Sequence, residues 1–133
     1  RYFNVYGERS PANGQYAPVI GIFLRQKKEG KKLTIVGDGS QTRDFVYVGD
    51  VIEANVKASI KEIDREFYGQ VFNVGSGKNI SIKKIAHMID YDIEYLPERP
   101  GEAKATLADI SKIQEVINWS PKTRLEDWIR KYL

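Results

Sequence analysis

The chain has 133 residues, with 21 Lys and Arg against 18 Asp and Glu, a formal charge of +3 and 41% hydrophobic residues. That length supplies core enough for one domain, the composition excludes general disorder, and so even a charge balance argues against a nucleic-acid partner. The absence of Cys removes disulfides, thiolate metal sites and cysteine nucleophiles, and His87, the only histidine, cannot supply a His-rich metal centre.

No signal-peptide pattern is present, and the most apolar run, residues 16–24, is far shorter than the roughly 20 residues a bilayer requires. The expected setting is the cytoplasm, with no membrane partner. The chain opens on Arg1, its one methionine is Met88, and residues 1–7 read as a strand for which no preceding element supplies a partner. These features predict the C-terminal part of something longer.

In chain order, residues 16–28 read as a helix, with Pro18 near its start, Val19, Ile22 and Phe23 on one face and Gly30 just past its end. Leu33 to Val36 is a short β-type run closed by the turn Gly37-Asp38-Gly39-Ser40, and residues 45–48 form a second. Asp50 with Glu53 reads as a capping box for a well-buried helix over residues 51–60. Residues 71–74 read as a buried strand, 75–79 as a turn, and Ser81 as the cap of a helix carrying Ile82, Ile85, Ala86 and Ile89.

Ile93 to Leu96 reads as a strand, and Asp109 as the cap of a helix bearing Ile110, Ile113, Val116 and Ile117. Thr123 to Glu126 spells a capping box for a last helix with Leu125, Trp128, Ile129 and Tyr132 inward. The expected fold class is α/β, short strands with several helices.

Four features invite chemistry. Gly75-Ser76-Gly77-Lys78 lies between a strand and a helix, but the first Gly of a phosphate loop is replaced by Phe72 and its Ser or Thr by Asn79, so an αL turn fits better. Arg43, between a glycine loop and a strand, offers a fork suited to a phosphate, or is held by a carboxylate such as Asp44 or Asp38. Arg99-Pro100-Gly101-Glu102 is a second charged turn that taken alone reads as surface. His87 is expected at the surface or its boundary. No Tyr is followed four residues later by Lys, and no dinucleotide glycine fingerprint is present, so no catalytic residue of a redox site is expected in this chain.

Residues 1–7, 33–48 (Leu-Thr-Ile-Val-Gly-Asp-Gly-Ser-Gln-Thr-Arg-Asp-Phe-Val-Tyr-Val), 72–77 and 99–102 together resemble, in order, the NAD-dependent nucleotide-sugar epimerase/dehydratase family of extended short-chain dehydrogenases. The likeness is greatest to the UDP-glucose 4-epimerases of that family. The resemblance implies that residues 1–133 are the C-terminal nucleotide-sugar-binding region, lacking the N-terminal Rossmann half that mainly binds NAD and carries the catalytic Tyr and Lys. It implies that in the whole enzyme this Tyr takes the sugar's 4-hydroxyl proton while the C4 hydride leaves and returns, and that the region alone is inactive.

The same resemblance assigns Asn4 to the substrate phosphate, Tyr2 and Phe3 to the cofactor side, and Val19 and Ile20 to nucleotide packing. Leu33, Thr34 and Val36 match a strand whose backbone meets uracil, Arg43 and Arg99 match two diphosphate-binding arginines, and Glu102 stands where the family usually has a ribose-holding Asp. A UDP-sugar is the expected partner, and the whole protein is expected to be a homodimer, with this region self-associating through exposed strands. A 4,6-dehydratase, a uronate epimerase or decarboxylase, a GDP-sugar enzyme, and a non-catalytic nucleotide-binding remnant are the alternatives.

Overall fold

The computed structural model describes residues 1–14 and 17–133. Among the described residues, five strands and five α-helices follow one another as β1 (Asn4–Tyr6), α1 (Val19–Lys28), β2 (Leu33–Val36), β3 (Thr42–Tyr47), α2 (Val48–Ile60), β4 (Asn79–Ser81), α3 (Ile82–Ile89), β5 (Ile93–Leu96), α4 (Ser111–Ile117) and α5 (Leu125–Tyr132). Strand β3 lies between a parallel β1 and an antiparallel β4, while β2 and β5 form a separate parallel pair. This is the expected α/β class.

The alternation of side chains along β3 divides the core. Phe45 joins Tyr6, Phe23, Ile35, Ile85, Trp128 and their neighbours in one apolar cluster, while the adjacent Val46 joins Val51, Val74, Ile113, Ile117 and Trp119 in another. A strand with period two and two covered faces requires this split. The residues preceding this pair follow the same alternation: Arg43 with Phe45, and Asp44 with Val46.

Helix α1 begins at Val19, because Pro18 is extended and its ring is tolerated only at a helix entrance. The expected start at Tyr16 lies outside the described residues. Its end is a Schellman closure, with Gly30 at φ +65 and the N–H groups of Gly30 and Lys31 donating to the carbonyls of Lys27 and Gln26. Ser81 caps α3 as expected, its hydroxyl accepting from the N–H of Lys84.

The structure differs from the sequence reading at several elements. Helix α2 starts at Val48, so Asp50 sits inside its first turn; there its buried carboxylate accepts from the N–H groups of Lys122 and Thr123 instead of capping its own helix. That bond takes Thr123 into a tether, and α5 opens at Leu125 with no side-chain cap. Tyr132 stacks on Trp128 but is half exposed rather than inward. Helix α4 begins at Ser111, whose N–H and hydroxyl both donate to Asp109.

Helix α2 is buried only along Asp50, Val51 and Ala54, while Ile52, Val56 and Ile60, spaced four apart on one face, stay exposed. Apolar residues on more than one face do not show which faces find a neighbour. Residues 71–74 do not form the expected strand. Only Val74 pairs, exchanging backbone bonds with Arg1 and Phe3 at 2.8 and 2.9 Å, which joins this segment to the chain's first residues. His87 is half-buried and stacks on Tyr91. No helix among the described residues is long and apolar enough to cross a membrane.

Candidate functional site

A cleft of about 640 Å³ opens between β1, the start of α1, β2, β3 and the turn at residues 99–102. That volume suits a drug-sized or nucleotide-sized ligand. Its wall includes Asn4, Val19, Thr34, Val36, Arg43, Arg99 and Glu102, seven residues from five separate stretches of sequence. Ile20 and Leu33 point the other way and are fully buried in the core. Along α1 and β2, neighbouring residues necessarily face different directions.

Arg43 reaches the cleft because its strand is held from both sides. Its backbone is in register with Ile80 of β4, and the segment after the charged turn is laced onto β3: the N–H of Thr42 donates to Lys104 and that of Thr106 to Thr42. The guanidinium donates to the carbonyl of Thr42 at 2.9 Å and to Glu102 Oε1 at 3.2 Å. The sequence left Arg43 between a phosphate fork and a carboxylate partner. The structure shows a carboxylate, but Glu102, 59 residues away, rather than Asp38 or Asp44.

Asp38 turns back on its own loop, where hydrogen bonding from the Ser40 hydroxyl, and then from the Ser40 N–H, holds its carboxyl below the usual range. Asp44 is wholly buried on the opposite face of β3. One of its oxygens accepts from the N–H and hydroxyl of Ser76, both at 2.7 Å, and the other from the N–H groups of Gly77 and Ala108, both at 3.0 Å. Gly75 permits this approach, since a Cβ there would stand 2.4 Å from that of Ala108. The glycine turn is therefore an anion-binding turn whose anion is the chain's own. Sequence reasoning saw its two halves, Asp44 and Gly75-Ser76-Gly77, without joining them.

Asn4 donates from its side-chain amide to the carbonyl of Asp44 at 2.8 Å, placing it at the junction of β1 and β3. Gln26 was missed altogether. This buried residue of α1 donates to Thr34 Oγ1 and accepts from the Thr34 N–H, so it takes one backbone donor of the strand that the resemblance assigns to uracil. A polar residue on the buried face of an amphipathic helix was the available signal.

Tyr2, assigned to the cofactor side, is largely exposed and its hydroxyl donates to Asn55, and neither Tyr2 nor Phe3 lines this cleft. Nor do the described residues bring three or more His, Asp or Glu together in a way that could hold a metal ion.

Residues 1–75 match the NAD dependent epimerase/dehydratase family. A putative UDP-glucose 4-epimerase of Methanocaldococcus jannaschii is 37% identical over 98% of the chain and 42% of its own length. A UDP-N-acetyl-alpha-D-glucosaminuronate decarboxylase of Bacillus cytotoxicus is 32% identical over 98% and 43%. Among solved structures, the UDP-glucose 4-epimerase of Thermotoga maritima with UDP-glucose superposes with a TM-score of 0.87 at 34% identity, covering 98% of this chain and 42% of that one. The UDP-glucuronic acid 4-epimerase of Bacillus cereus, in complex with UDP-glucuronic acid and NAD, gives 0.86 at 36% identity, covering 98% and 41%. The chain thus spans about two fifths of the length of these relatives. Matched over more than half its residues, with its motifs in order, this α/β chain belongs to the NAD-dependent epimerase/dehydratase family.

Proposed function

We propose that residues 1–133 are the nucleotide-sugar-binding region of an NAD-dependent epimerase, with a UDP-sugar as substrate and the interconversion of UDP-glucose and UDP-galactose as the reaction of the whole protein. The observation that carries this reading is the convergence of Arg43, Arg99 and Asn4, from three separate stretches of sequence, on one cleft. A nucleotide-sugar presents a diphosphate with two negative charges, and a planar guanidinium donates to phosphate oxygens in a fork. Val19, Thr34 and Val36 supply the less polar part of the wall, fitted to a base and ribose. Within this region the chain binds and orients the substrate, and its residues carry no step of the redox chemistry.

A second reading, a uronate decarboxylase or epimerase of the same family, is favoured by the decarboxylase at 32% identity. Both readings use the same cleft and differ in the sugar. The test is calorimetric titration of the chain with UDP, UDP-glucose and UDP-glucuronic acid, with GDP and dTDP as controls. Each charge-assisted contact is worth roughly 1.5–3 kcal/mol, so Arg43→Ala is expected to weaken UDP binding about 10- to 150-fold. A folded chain that binds no nucleotide, or one indifferent to this substitution, refutes the assignment.

A further inference from the structure

Arg43 does not stand free in the cleft. Its Nη2 lies 3.2 Å from Glu102 Oε1, and this face of the pair is partly shielded, with the Arg43 side chain only 15% exposed. The contact is built into the fold. Gly101 adopts φ +81 in the charged turn, and the pairing of residues 104–106 with β3 returns Glu102 to the arginine. A carboxylate one methylene shorter on the same backbone would stop about 1.5 Å short, beyond ion-pair range. Arg99, on the same turn, has no carboxylate partner among the described residues.

We propose that Glu102 is an intramolecular latch on Arg43, occupying the donor that an incoming diphosphate must take. The proposal rests on the reading of the cleft as a nucleotide-sugar site and adds how that site rejects small anions. A guanidinium presents the same fork to a carboxylate and to a phosphate, so the two compete for one set of N–H groups. Arg99 receives phosphate without such competition, whereas Arg43 does so only after Glu102 is displaced. A ligand that also fills the wall along α1 and β2 gains enough elsewhere to drive the exchange. Inorganic pyrophosphate has no such part and binds weakly.

Pyrophosphate is therefore the diagnostic probe, since it lacks a ribose and isolates the diphosphate contact from any other role of Glu102. Titration of the chain and its Glu102→Gln variant is expected to show pyrophosphate binding strengthened about 5-fold in the variant, the equivalent of an ion pair worth about 1 kcal/mol. Glu102→Asp, which keeps the charge but loses the reach, is expected to recover most of that gain. In an Arg43→Ala background the Glu102→Gln change is expected to have no effect, which separates the latch from a general change in charge. Unchanged or weaker pyrophosphate binding in Glu102→Gln overturns the latch. If UDP still binds and still depends on Arg43, the nucleotide-site reading stands without it; if a folded chain binds no UDP, both fall.

Discussion

Replacing Asp44 with Asn isolates the interaction that joins the glycine turn to β3. The carboxylate offers two acceptor oxygens, each taking two donors: the N–H and hydroxyl of Ser76 on one, the N–H groups of Gly77 and Ala108 on the other. Asn keeps one oxygen and turns the other into an NH2 group, which faces donors. With its NH2 toward Gly77 and Ala108, two backbone N–H groups are orphaned. With its NH2 toward Ser76, the hydroxyl can reverse and accept, and one backbone N–H is orphaned. The second orientation is the cheaper one, and losing its one hydrogen bond to a charged group costs about 1.5–3 kcal/mol. An unfolding entropy of about 2.1 cal/mol/K per residue over 133 residues amounts to about 0.28 kcal/mol/K, so the melting temperature should fall by about 5–11 °C. Thermal melts followed by circular dichroism, with urea titration as an independent measure, test this. A variant melting within about 3 °C of the parent would refute the claim that the carboxylate organises the turn.

Two further outcomes follow from the packing. Gly75→Ala places a methyl 2.4 Å from the Cβ of Ala108, a backbone-level clash that should destabilise the chain by about 1–3 kcal/mol in urea titration. Burial first, then the charges of Asp50 and Glu126, raises the Tyr6 hydroxyl well above the ordinary tyrosine range. Unfolded, Tyr6 ionises near pH 10, so its stabilisation is intact below that pH and is lost as the pH climbs toward the folded value. Tyr47 is also raised, by its hydrogen bond to Glu8, so alkaline titration at 295 nm should show a late tyrosine component that ionises together with unfolding and is diminished in Tyr6→Phe.

What the sequence made legible divides by range. Elements whose signals are local were readable: β2 and β5 from short apolar runs beside turn residues, α3 from Ser81, and the end of α1 from Gly30. The errors concern acids whose partner lies far along the chain. Asp50 looks like a cap because Glu53 follows three residues later, yet its carboxylate serves N–H groups 72 and 73 residues away. Asp44 looks like a neighbour for Arg43, yet a strand sends adjacent side chains to opposite faces, so it cannot serve that arginine from its own side of β3. A window of a few residues contains the donor or the acceptor of such a bond, never both.

That alternation also explains how one dipeptide serves fold and site. Asp44 draws the glycine turn and the Thr106 to Ala108 segment onto one face of β3, with the Asp44 N–H donating to Thr106 Oγ1 at 3.3 Å. The same segment, paired with Thr42, carries the charged turn back over the other face, where Arg43 meets Glu102. The buried acid thus governs the reach of the exposed one. A change at Asp44 should therefore lower stability and loosen the Arg43–Glu102 contact together, whereas a change at Glu102 should alter anion binding with the fold intact. The buried acid and the cleft-lining acid thus act on opposite faces of a single strand.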